Sequence, residues 1–132
     1  VRQCAPMPTI LIVDDAPAIL ELLRAVFRGA GYEVLTAHDA ESAIRLACES
    51  HFDVVLSDVN MPRMTGCDLA RWVAEHSPAT RMALMSGCEA ACAECPYVPR
   101  CTLIRKPFRF QELVEVVERS LQRGTSKSAT DQ

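Results

Sequence analysis

Five polar residues of this 132-residue chain stand at the ends of apolar runs: Asp14 and Asp15 after TILIV, Asp58 after DVVLS, Ser86 after RMALM, and Lys106 after CTLIR. Taken singly, each has a plain explanation. Aspartate after a strand is a common turn residue or helix cap, and lysine before proline is usually solvated. Their joint placement asks for a common cause. Three carboxylates brought close together repel one another. A hard divalent cation with oxygen ligands relieves that repulsion, and Mg²⁺ suits a site with few carboxylates and room for water. A carboxylate is also a nucleophile towards phosphorus, giving an aspartyl phosphate, provided that the dianionic donor is neutralised as it arrives. Mg²⁺ and Lys106 supply that positive charge, and the Ser86 hydroxyl can hydrogen-bond a phosphoryl oxygen once the group is attached.

For these residues to meet, the runs that carry them must end on one edge. Thr9 to Val13 reads as a strand buried on both faces. Pro17 fits the first turn of a helix whose apolar positions Ile19, Leu22, Leu23, Val26, Phe27 and Ala30 follow helical spacing until Gly31 ends it. The alternation continues with EVLTA (33–37), a helix capped by Asp39 with Ala40, Ala43, Ile44 and Ala47 on one face, and DVVLS (53–57). After the turn NMPRMTG come a helix carrying Leu69, Ala70 and Val73, the strand RMALM (81–85), and the strand CTLIR (101–105). The final helix points Phe110, Leu113, Val114, Val117 and Leu121 inward. Five nearly continuous apolar strands alternating with helices predict an α/β fold, a doubly wound parallel sheet covered on both faces. Ligands of such sheets bind beyond the carboxyl ends of the strands, where the five polar residues collect.

Length sets one domain. We divide the chain into an N-terminal extension (1–8) expected to be flexible, a folded domain (9–123), and a polar tail (124–132) expected to be disordered. A net charge of −3 without a basic run argues against nucleic acid as a direct partner. No segment approaches a membrane span and no secretion signal is present, so the expected location is the cytoplasm. Seven cysteines, an odd number at irregular spacing, do not read as a secreted disulfide framework.

The set DD at 14 and 15, SDVNMPRMTG around Asp58, LMSG at Ser86 and IRKPF at Lys106 resembles the receiver domain of two-component response regulators, over roughly residues 9–122. That resemblance implies a flavodoxin-like sheet of order 2-1-3-4-5 and a phosphoacceptor that signals rather than turning over as an enzyme. Asp58 would take the phosphoryl group from the phosphohistidine of a histidine kinase or phosphotransfer protein. Asp15, Asp58 and the backbone carbonyl of Asn60 would bind Mg²⁺ directly, with Asp14 acting largely through water. Lys106 would pair with the phosphoryl group, Ser86 would be the switch hydroxyl, the Lys106–Pro107 bond would be cis, and Met61, Pro62 and Gly66 would shape the pocket. Phosphorylation adds up to about two negative charges, which would draw in Ser86 and Lys106 and bias the surface made by the fourth helix, the last strand and the last helix. The usual aromatic residue of the last strand is replaced by Leu103, so an aromatic rotamer switch cannot operate. The implied partners are a kinase and a downstream protein or covalently linked output domain, with homodimerisation through the output surface as a further option. No effector domain follows the last helix, so the expectation is a stand-alone receiver or one taken from a longer protein.

Other functions would need particular residues. A phosphohydrolase of the haloacid dehalogenase type needs a second acid two residues after its nucleophile, where this chain has Asn60. A flavodoxin-type cofactor site needs a phosphate-cradling loop that DDAPA cannot form. A redox- or metal-sensing module rests on the stretch CEAACAECPYVPRC, the slot of the fourth helix, which Pro96 and Pro99 make short or irregular. There Cys88, Cys92 and Cys95 share one helical face and Cys101 follows. Three explanations stand side by side: packing as small apolar residues, thiolate ligation of Zn²⁺ or an iron-sulfur cluster, and disulfides.

Overall fold

The computed structural model describes residues 7–87 and 102–130, with side chains as far as residue 122. Strands β1 (Thr9–Val13), β2 (Glu33–Ala37), β3 (Val54–Asp58), β4 (Arg81–Ser86) and β5 (Thr102–Arg105) form one parallel sheet in the order β2-β1-β3-β4-β5. This is the doubly wound, flavodoxin-like arrangement expected, with β3 set one residue further along than its sequence pattern suggests and β4 one residue longer. Helices α1 (Pro17–Gly29) and α4 (Phe110–Thr130) cover one face, and α2 (Ala40–Glu49) and α3 (Gly66–His76) cover the other. The slot of the short fourth helix expected from the sequence, with Cys88, Cys92, Cys95 and Cys101, lies outside the described residues, as does Cys4.

Alternation along each central strand divides the core. Ile10, Ile12, Val54, Leu56, Ala83 and Met85 face α1 and α4, whereas Leu11, Val13, Val55 and Leu84 face α2 and α3. The inward stripe of α1 is Leu20, Leu23 and Phe27. Ile19 and Leu22, expected on that stripe, are 37% and 48% exposed, and Phe110 of α4 is likewise exposed. Apolar residues occupy both sides of α1's outer arc, and contact with the sheet selects the side one residue over. Helix α1 begins with Pro17 at its first position and ends in a Schellman turn. Gly31 has φ 97°, its N–H donates to the Arg28 carbonyl, and the Tyr32 N–H donates to the Phe27 carbonyl at 3.0 Å. The Tyr32 and Phe27 rings meet edge to face, 5.1 Å between centroids, which seals the turn. Helix α4 runs to Thr130, past residue 123 where the apolar pattern stops.

At the amino-terminal edge of the sheet, Asp53 braces three strands. Its Oδ2 accepts the Thr9 N–H at 2.8 Å, its N–H donates to the Thr9 carbonyl, and its own carbonyl accepts the Arg81 N–H. Parallel strands that start together also finish together, and this fixes the opposite edge, where the polar residues gather.

Candidate functional site

The register places the site. Val13 pairs with Ser57, Asp58 with Met85, and Ser86 with Arg105, so β1, β3, β4 and β5 end in line. Asp14 follows β1 directly, and its carboxylate Oδ1 accepts the Ala16 N–H at 2.9 Å, which turns the chain into α1. Asp14, Asp58 and Ser86 are buried, while Asp15 is exposed at the rim. Oxygens of Asp14, Asp15 and Asp58 all lie within 4.8 Å of one another. Lys106 Nζ lies 3.3 Å from Asp58 Oδ1, with the lysine side chain 39% and the aspartate 9% exposed. The same Oδ1 accepts the Asn60 N–H at 3.4 Å, which leaves Oδ2 of Asp58 without either contact. The Lys106 N–H donates to the Ser86 carbonyl at 2.9 Å, tying the ends of β4 and β5, and the Lys106–Pro107 bond is cis.

Burial holds the Asp14 carboxyl above its ordinary value. The Ala16 N–H and Lys106 pull it down, whereas the charges of Asp58 and Asp15 push it further up. Asp14 Oδ2 is buried with no hydrogen-bond partner among the described residues. A buried carboxylate oxygen without a donor is costly, so this oxygen points to a positive ligand that completes the site.

The connection from β3 to α3 shapes the pocket wall. Val59 and Met61 are buried in the core and anchor it from below. It closes in a capping box, in which Thr65 Oγ1 accepts the Asp68 N–H and Asp68 Oδ2 accepts the Thr65 N–H. A Cβ at Gly66 would collide with the Asp58 carbonyl oxygen and lie 2.9 Å from Val59 Cα, so only glycine fits against the strand that carries Asp58. The Ser57 hydroxyl, fully buried, donates to the same Asp58 carbonyl at 2.9 Å.

Asp14, Asp15, Asp58 and Lys106 therefore meet as expected, with Asn60 beside them through its backbone and Ser86 at the end of the adjoining strand. The part played by Ser57 is not announced in the sequence, because a serine near the end of an apolar strand is not distinctive. Leu103, whose place is usually aromatic, pairs with Leu84 and packs against the core beneath α2 and α3.

A family model described as response regulator receiver domain matches residues 10–118. The chain belongs to this family. The receiver is similar to the autoinducer 1 sensor kinase/phosphatase LuxN of Vibrio harveyi, 31% identical over 94% of this chain and 15% of that protein. It is also similar to the regulatory protein AtoC of Escherichia coli, 33% identical over 89% of this chain and 26% of that protein. The receiver thus spans about a quarter or less of these relatives' length. Among solved structures it is similar to the response regulator TrrA of Thermotoga maritima in complex with Mg²⁺-BeF, at 29% identity and TM-score 0.79, covering 86% of this chain and 98% of that one. Among the described residues, no helix is long and apolar enough to cross a membrane.

Proposed function

We propose that this receiver accepts a phosphoryl group on Asp58 from the phosphohistidine of a sensor kinase or phosphotransfer protein, with Mg²⁺ held by Asp14, Asp15, Asp58 and the Asn60 carbonyl. The observation that carries the reading is the division of labour at Asp58: Oδ1 is engaged by Lys106 and the Asn60 N–H, and Oδ2 is left to attack. The donor set suits the cation, since it consists of hard oxygens and includes the orphaned Asp14 Oδ2. When bound, Mg²⁺ neutralises charge on the incoming phosphoryl oxygens. Oδ2 of Asp58 forms the new O–P bond as the P–N bond of the donor breaks, its electron pair returning to the donor imidazole. Lys106 stays near the acceptor and pairs with the added charge. Ser86 provides a hydroxyl for a phosphoryl oxygen, and the β4–β5 tie through the Lys106 N–H carries that pull to β5. Support also comes from TrrA, whose complex contains Mg²⁺ and a beryllium fluoride.

On this reading the chain is a stoichiometric acceptor in the cytoplasm rather than a turnover enzyme, and residues 9–123 form the receiver unit. Its downstream partner is a separate protein or an output domain in the same polypeptide. Incubation with acetyl phosphate and Mg²⁺, followed by intact-mass measurement, tests the proposal. One phosphoryl group per chain is expected for wild type, and none for Asp58→Asn or with chelator. Equal uptake by Asp58→Asn, or many turnovers on phosphate esters, would overturn it.

A further inference from the structure

The β3–α3 connection contains a turn that its own sequence disfavours. Arg63 has φ 69°, the one positive φ at a non-glycine among the described residues. The Met64 N–H donates across it to the Pro62 carbonyl at 2.8 Å. A hydrogen bond closed over a single residue of positive φ is a γ-turn of the rare, strained kind, a conformation natural only to glycine. Such strain persists where the surroundings hold it. Here the arginine side chain reaches back to the start of α2. Its Nη2 lies 3.7 Å from Asp39 Oδ2 and 3.8 Å from Glu41 Oε1. Asp39 is the N-cap of α2, and its Oδ1 accepts the Ser42 N–H at 2.7 Å, so one oxygen caps the helix while the other faces Arg63 and His38. The guanidinium therefore ties a strained turn to a fixed helix end.

We propose that Arg63 is a positioning residue for the acidic site: its ion pairs with Asp39 and Glu41 clasp the β3–α3 turn to α2 and thereby fix the Asn60 backbone beside Asp58. The proposal rests on the reading of that pocket as an Mg²⁺ site. Chain connectivity supplies the lever. Only Met61 and Pro62 separate Asn60 from the clasped residue, and the Asn60 N–H already meets Asp58 Oδ1. Val59 and Met61, both buried, hold the chain on either side of Asn60, and the Arg63 tether fixes the loop two residues beyond Met61.

A sign difference separates this clasp from simple electrostatics. If only charge mattered, removing the positive Arg63 would tighten Mg²⁺ binding, and removing the negative Asp39 and Glu41 would weaken it. The clasp demands that both changes weaken binding. Calorimetric Mg²⁺ titration of the full chain compares wild type, Arg63→Gly, the double variant Asp39→Asn/Glu41→Gln, and all three changes together. Glycine keeps the positive φ, and asparagine keeps the capping oxygen. We expect each variant to bind Mg²⁺ about fivefold more weakly, as for the loss of an exposed ion pair, and the triple variant to be no weaker than either. Amide exchange in metal-free protein should quicken at Asn60 and Met64 in both variants. Unchanged or tighter binding by Arg63→Gly, or additive losses in the triple variant, would overturn the clasp. Absence of Mg²⁺ binding by wild type would overturn the metal reading and the clasp with it.

Discussion

Asp14 shows how one residue can be unfavourable to the fold and necessary to the site. Its carboxyl is held above the ordinary value of 3.8, chiefly by burial, so the folded chain binds that proton more tightly than the unfolded chain. This contribution to stability is complete below 3.8 and is lost as pH rises through the raised folded value. At neutral pH the ionised carboxylate therefore costs stability in metal-free protein. Asp14→Asn should melt a few degrees above wild type in chelator at pH 7, and the gap should close as the pH falls below that window; adding Mg²⁺ should raise wild type more than the variant. Thermal melts over a pH series, with and without Mg²⁺, measure this. Gly66 makes a different demand. Gly66→Ala drives a methyl group into the Asp58 carbonyl, so unfolding free energy should fall by about 1 to 3 kcal/mol and acetyl phosphate labelling should slow, as denaturant titration and mass measurement would show. The five polar residues were legible because each closes an apolar run. Arg63 and Ser57 were not: the first acts through a turn whose φ no local pattern announces, and the second through a hydrogen bond to its neighbour's backbone.

Elements bring these residues to one place, and they were read from the sequence with uneven success. Strand positions came through almost residue by residue, since runs such as TILIV can be stable only between two layers. Helix α1 existed as expected from Pro17 to the glycine stop, and Leu23 and Phe27 face inward as expected, yet one side of the buried face was misplaced. Leu20 was passed over, while Ile19 and Leu22 lie outside. A helix with apolar residues around a wide arc does not announce its rotation, which only the sheet beneath it settles. Leu23→Ala removes a fully buried side chain and should cost about 2 to 5 kcal/mol by chemical denaturation, whereas Leu22→Ala should be nearly neutral. The end of α1 is equally testable. Gly31→Ala puts a side chain at φ 97° and should lower stability by about 1 kcal/mol without changing Mg²⁺ affinity.

At the scale of the whole molecule, strand order is what turns separate motifs into one site. With β1 and β3 adjacent and β4 and β5 beyond, residues far apart in the chain share an edge, an outcome that the sequence implied only through its likeness to a family. Binding at that edge acts on the entire fold. If Mg²⁺ binds the folded chain alone, the melting temperature should climb steadily with the logarithm of its concentration once the site saturates, and Asp58→Asn should flatten the climb. The opposite edge has its own consequence. Asp53 laces the starts of β1, β3 and β4 together through side chain and backbone, whereas the finishing edge, tied by the backbone N–H groups of Asp14, Val59 and Lys106, also carries crowded carboxylates and an Asp14 oxygen with no hydrogen-bond partner among the described residues. Such a sheet resembles a fan pinned at its handle. Its breathing should start at the chemical edge and die away towards Asp53, so deuterium should enter the backbone amides of β3 in a graded sequence from Asp58 back to Val54, and cutting the pin with Asp53→Ala should level that gradient.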